Sequence, residues 1–107
     1  MDTNGEFCIV LTTTGSQQEA DRLASDLLTR KLAACVQVQQ ITSHYVWKGD
    51  LLKEPEFLLL IKTRRSAYPE IEAYVREQHS YEIPELVLLP VDTGLSAYLG
   101  WIRENTI

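Results

Sequence analysis

Three short runs, Phe7-Cys8-Ile9-Val10-Leu11, Phe57-Leu58-Leu59-Leu60-Ile61 and Leu86-Val87-Leu88-Leu89, contain no polar residue. A strand that shows one face to water alternates apolar and polar residues, whereas an unbroken run rich in branched side chains needs cover on both faces. None approaches the roughly 20 residues that a bilayer-spanning helix requires. The chain must therefore cover three strands on two sides, with only 107 residues to do it. A single domain over residues 1–107 buries about 65% of its unfolded surface when it folds alone, enough for one modest core.

The segments between these runs read as helices and a hairpin. Met1 to Glu6 reads as a short polar start, expected to fray, with neither a basic stretch nor an apolar leader. After the first run, Ser16-Gln17-Gln18-Glu19 matches a capping box, in which hydroxyl and carboxylate each satisfy an orphan N–H. Ala20, Leu23, Ala24, Leu27 and Leu28 follow at helical spacing, and the helix is expected to stop near Lys31. A second strand begins near Ala33. Its apolar positions are even at Val36 and Val38 but odd at Ile41, Tyr45 and Trp47, which predicts a bulge or bend between Val38 and Thr42. Trp47-Lys48-Gly49-Asp50 makes a turn, and residues 51–63 return. Pro55 cannot donate to a ladder, so that section is expected to be an edge or a second bulge. Ser66 and Pro69 open a second helix, with Ile71, Tyr74, Val75 and Gln78 on one stripe, running into His79. Residues 85–91 form the last strand. Ser96 then caps a short helix with Tyr98, Leu99 and Ile102 inward.

The resulting order, βαββαβ plus a terminal helix, specifies an α+β, ferredoxin-like sandwich: an antiparallel sheet with its helices on one face and an extended hairpin between the second and third strands. That arrangement leaves the other sheet face without cover. The three apolar runs then call for a further subunit, and an oligomer is expected.

Charge and composition exclude several classes. A net charge of −5 argues against a nucleic-acid surface, which needs clustered Lys and Arg. Cys8 and Cys35 are too few for a disulfide scaffold and read as small core hydrophobes in a reduced, cytoplasmic chain with no membrane segment.

Several separated motifs resemble the CutA divalent-ion tolerance proteins. They are Leu32-Ala33-Ala34-Cys35-Val36, Tyr45-Val46-Trp47-Lys48-Gly49, Glu56 ahead of the run into Lys62-Thr63, His79-Ser80-Tyr81-Glu82-Ile83-Pro84-Glu85, and Tyr98-Leu99-Gly100-Trp101-Ile102. The resemblance implies a ferredoxin-like protomer and a homotrimer built by joining sheet edges, similar in shape to PII signalling proteins. It also implies a link to copper and other divalent metals. Two features depart from the family pattern. The loop usually reads His-Pro-Tyr but here is His79-Ser80-Tyr81. Copper-associated members carry a cysteine and a further histidine where this chain has Thr12 and Gln78.

Candidate chemistry is sparse. Only His44 and His79 are available as imidazole ligands, without Cys-x-x-Cys or His-x-x-x-His. His79 reads as a helix-end cap with an exposed ring. As a metal ligand, with Glu82 or a neighbouring subunit's group, it offers at most weak Cu(II) or other divalent-cation binding. Lys62-Thr63-Arg64-Arg65 ahead of Ser66 suits either solvent or a small anion at a helix start. Trp47, Glu56, Lys62, Tyr81 and Glu85, with Tyr45, are expected to line an intersubunit ligand cleft, with Lys62 as counter-ion to the two carboxylates. No cofactor is required and no nucleophile–base pair is evident. Three readings stay open: a non-enzymatic trimeric CutA-like protein of metal (copper) tolerance, a PII-like sensor binding a small anion between subunits, and a module whose only activity is assembly.

Overall fold

The pairing of two central strands frames the molecule. The computed structural model describes residues 5–107, so the polar start from Met1 to Asn4 lies outside the described residues. β1 (Phe7–Thr14) and β3 (Asp50–Arg64) run antiparallel from Phe7↔Arg64 to Thr14↔Phe57. β2 (Cys35–Trp47) joins β3, and β4 (Val87–Pro90) joins β1, giving the order β2-β3-β1-β4. Between them lie α1 (Gln17–Thr29), a 3-10 turn (Arg65–Ala67), α2 (Tyr68–Gln78) and the terminal α3 (Ser96–Glu104). The expected α+β, ferredoxin-like fold is present.

Alternation along the strands separates two faces. Cys8, Val10, Leu59 and Ile61 turn toward Leu23 and Leu27 of α1 and Ile71 and Val75 of α2, and all are buried. Burial pushes the Cys8 thiol up to about 11, so it is a protonated core group at neutral pH. The opposite face carries Ile9, Leu11, Leu58 and Leu60, each half-buried, beside Val87 and Leu89 at 45% and 48% exposure. There α3 covers one end only, where Leu99 and Ile102 pack on Phe7. The central runs are apolar on both faces, but the chain covers one of them.

The hairpin corrects an expectation. β2 and β3 pair without interruption from Cys35↔Lys62 to Trp47↔Asp50, so there is no bulge between Val38 and Thr42. The apolar positions change phase because cover changes sides. Near Val36 the helices lie over one face. Toward the tip they no longer reach, and Ile41, Tyr45 and Trp47 turn to the other. Pro55 pairs with Thr42 beyond the last β1 partner, Phe57, so it sits where β3 has lost one neighbour, which is the edge alternative. The tip is a two-residue turn with Lys48 at φ 51° and Gly49 at φ 86°, whose twist suits a hairpin.

Other boundaries differ as well. β4 is four residues rather than the expected seven-residue strand, because β1 pairs with it only from Cys8↔Pro90 to Leu11↔Val87. Ser66 lies inside the 3-10 turn and Ala67 caps α2. Leu95 takes the cap position of α3, and Tyr98 is 39% exposed, stacked on Trp101 rather than inward.

α1 ends at Arg30 in a Schellman motif: the Lys31 N–H donates to the Leu28 carbonyl at 3.1 Å and the Leu32 N–H to the Leu27 carbonyl at 2.9 Å. Lys31 takes the left-handed position, φ 58°, which glycine normally fills. Lys31→Gly is therefore expected to stabilise the protein by about 0.5–1 kcal/mol. Urea denaturation should show a raised midpoint at unchanged m-value.

Candidate functional site

The loop from α2 to β4 is built around one buried ring. His79 is the C-cap of α2, its N–H donating to the Val75 carbonyl at 3.0 Å, and its side chain is 0% exposed. This corrects the expected exposed ring. Nε2 lies 2.6 Å from the Thr13 carbonyl oxygen, and Nδ1 accepts the Tyr81 N–H at 3.0 Å. A carbonyl only accepts and an amide N–H only donates, so these contacts specify the neutral tautomer with hydrogen on Nε2. Both ring nitrogens are committed to backbone groups. The carboxylate nearest Nδ1 is Glu19, at 3.7 Å, and not Glu82.

Glu19 explains the neighbouring residue. The Ser16 hydroxyl accepts the Glu19 N–H at 3.1 Å, but the reciprocal half of the capping box is not made. The Glu19 carboxylate instead accepts the Ser80 N–H at 2.9 Å and the Ser80 hydroxyl at 2.8 Å. A proline at this position has no N–H to donate. Ser80 thus exchanges ring rigidity for two hydrogen bonds that tie the loop to α1. The Arg22 guanidinium ties the end of α2 to α1 as well, donating to the Gln78 carbonyl at 2.9 Å.

So held, the loop sends Tyr81 over the end of β1. Gly15 makes room, since a Cβ there would stand 3.1 Å from the Tyr81 hydroxyl. That hydroxyl donates to Glu56 Oε2 at 2.8 Å. Burial, and then the bond to Glu56, raises the Tyr81 phenol above its ordinary value. Between loop and hairpin lies a cavity of about 760 Å³, lined by Tyr45, Trp47, Glu56, Tyr81 and Glu85, and also by Leu52 and Glu54. Sequence reasoning missed Glu54. Its signal was its spacing of two from Glu56, which puts both on one face of β3. Partial burial and the charge of Glu56 raise the Glu85 carboxyl.

Lys62 does not line this cavity. It lies six positions further along β3, paired with Ile9 and Cys35, and its ammonium sits 5.5 Å over the Tyr98 ring. Within the chain it is not the counter-ion of Glu56 or Glu85. The cationic segment likewise diverges. Arg64 donates to the Thr106 hydroxyl at 2.9 Å and carbonyl at 3.0 Å, with Glu6 at 3.8 Å, so it anchors the C-terminal end of the chain. Thr12 is buried on the helix-covered face, and the Gln78 amide oxygen accepts from Arg22 at 3.4 Å. Among the described residues, no three His, Cys, Asp or Glu side chains converge on a point that could hold a metal ion.

A β2-β3-β1-β4 antiparallel sheet, with two crossover helices on one face and a hairpin running past them, defines a ferredoxin-like protein with a cleft at its hairpin end. Residues 8–105 match the family model of the CutA1 divalent ion tolerance protein, and the chain belongs to that family. It is 42% identical over 99 residues to the divalent-cation tolerance protein CutA of Thermus thermophilus, covering 92% of this chain and 96% of that one. With human protein CutA it shares 38% identity over 95% of its length, spanning 58% of the human chain. Among solved structures, the periplasmic divalent cation tolerance protein CutA of Archaeoglobus fulgidus superposes at TM-score 0.90, with 36% identity over 92% of this chain and 97% of that one. CutA of Synechococcus elongatus superposes at TM-score 0.95, with 30% identity over 100% and 95%.

Two outcomes test the site's construction. His79→Ala removes a buried ring and orphans the Thr13 carbonyl and the Tyr81 N–H, a cost of about 2–4 kcal/mol in urea denaturation. Glu85 has a raised carboxyl in the folded state, so its stabilising protonation is present below the ordinary carboxylate range and lost as pH rises through the raised value. Glu85→Gln is expected to raise stability at neutral pH by less than about 0.5 kcal/mol and to leave it unchanged in acid, read from thermal unfolding across pH.

Proposed function

We propose that this protein acts as a non-enzymatic homotrimer in divalent-cation tolerance, copper among the cations, with at most weak metal binding by its own side chains. The observation that carries the reading is the uncovered sheet face in a chain of this family. Ile9, Leu11, Leu58 and Leu60 lie beside the half-exposed Val87 and Leu89, and α3 covers only the far end. Apolar surface in the middle of a sheet is a docking surface. β2 is an outer strand over its full thirteen residues, open to pairing with a second copy. One heterologous contact, repeated and closed, makes a ring of three.

Weak metal binding is supported by the chemistry of the one buried imidazole. His79 has no lone pair free, and freeing one breaks a bond to Thr13 or Tyr81. A non-enzymatic role is supported by Cys8, whose buried thiol is raised and so stays protonated at neutral pH. The free thiols of Cys8 and Cys35 support a reduced, cytoplasmic setting, and no helix among the described residues is long and apolar enough to cross a membrane. A PII-like trimer binding a small anion is the weaker reading. The cavity lining holds four glutamates and neither Lys nor Arg, and Arg64 is occupied by Thr106.

Light scattering after size exclusion is expected to give the mass of a trimer, and Leu11→Asp, on the uncovered face, to give monomers or loss of fold. A wild-type monomer at micromolar concentration would overturn the assembly. Calorimetry with Cu(II) is expected to show the same weak isotherm for wild type and His79→Gln. A tight site lost in the variant would refute the metal half of the reading.

A further inference from the structure

The cavity at the hairpin end has a chemistry that the cation-tolerance role does not use. Glu56 is 7% exposed, and among the described residues no cation forms an ion pair with it. Its one hydrogen bond in the cavity comes from the neutral Tyr81 hydroxyl. A buried carboxylate without a cationic partner is among the costlier arrangements in a folded protein, and native structures compensate it. Lys62, the cation that sequence position suggests, is held over Tyr98 instead. A cation for Glu56 would have to be supplied from outside the described fold.

We propose that this cavity binds a free organic cation, an alkylammonium or guanidinium group, seated against Glu56 among Trp47, Tyr45 and Tyr81. Three features select that class. First, the lining is acidic, with Glu54, Glu82 and Glu85 joining Glu56 and no Lys or Arg opposing them. Second, two of these carboxylates are oriented by phenols: Tyr45 donates to Glu54 at 2.9 Å and Tyr81 to Glu56 at 2.8 Å, leaving their remaining lone pairs for an N–H donor. Third, the lining is aromatic where a bare metal ion would want oxygen. Hard divalent cations need several oxygens at about 2–2.6 Å, and no three acidic or imidazole groups among the described residues converge in that way. Aromatic rings attract weakly hydrated, polyatomic cations, with Trp the strongest partner. Trp47 already shows this preference, carrying the Lys48 ammonium 5.5 Å from its ring centre, although Lys48 itself does not line the cavity. A volume of about 760 Å³ leaves room for an alkyl chain on the cation.

The test uses the assembled wild-type protein and 1,4-diaminobutane at constant ionic strength, with 1,4-butanediol as the neutral isostere and magnesium chloride as the inorganic control. Amide and indole NMR shifts are expected to centre on Trp47, Glu56 and Tyr81 with the diamine, and to be absent with the diol and with magnesium. Glu56→Gln is expected to weaken the diamine by about tenfold or more, and Trp47→Leu by about 3–30-fold. Trp47→Leu, at a hairpin end, keeps the test alive if Glu56→Gln does not fold. The proposal is overturned if the diamine leaves the cavity resonances unmoved, if magnesium reproduces its effect, or if Glu56→Gln binds it equally. It is overturned too if the diamine fails to bind while Glu56→Gln alters the oligomeric mass, since the cation is then a side chain of a second copy. The trimer reading is scored separately, by wild-type mass alone.

Discussion

Both long crossover helices lie on the same face of one four-stranded sheet, and most of the molecule follows from that. α1 and α2 meet β1 and β3 at Val10, Leu59 and Ile61, where burial is complete. β1 and β2 run parallel with β3 between them, and β3 and β4 run parallel with β1 between them. Right-handed crossovers in two interleaved units bring both helices to one side. The opposite face is left to α3 at one end and to the α2–β4 loop at the other. Its middle, around Leu11 and Leu60, stays half-buried for want of a third layer. The hairpin reaches beyond the helices, so its aromatic side chains turn to the uncovered face and make one wall of the cavity.

The other wall depends on His79. Three elements meet at its ring: the end of α2, the last residues of β1 and the loop that leads to β4. A buried imidazole between a carbonyl acceptor and an amide donor loses little on leaving water, because both nitrogens keep a partner. Glu19 does comparable work for Ser80. Residues that look catalytic as a cluster therefore hold a corner. The group that the corner presents, Tyr81 on Glu56, passes close over Gly15, where a Cβ would crowd its hydroxyl at 3.1 Å.

Much of the fold was legible from local patterns. The three apolar runs, the Ser16 cap, the Gly49 turn and the stripe of Ile71, Tyr74 and Val75 each rest on the period of a strand or a helix, which neighbours in sequence determine. The failures in facing and contact share one cause, whereas the helix caps at Ser66 and Ser96 missed by a single residue. The phase change after Val38 looked like a bulge because alternation reports which face is covered, and cover comes from elements far away in sequence. The site was half legible for the same reason. Trp47, Glu56, Tyr81 and Glu85 do line one cavity, whereas Lys62 faces Tyr98. Glu19 looked like half of a capping box, yet it bonds a residue on another element.

By itself, then, the sequence determined the order of elements, the apolar content of each strand and hence the ferredoxin-like class, because these are set by spacing along the chain. Tertiary structure alone decided which way His79 turned, what Glu19 and Arg64 bonded, and that Glu56 would be buried without an ion pair among the described residues. Those outcomes depend on distances between residues tens of positions apart, and a one-dimensional pattern carries no information about whether two such charges meet.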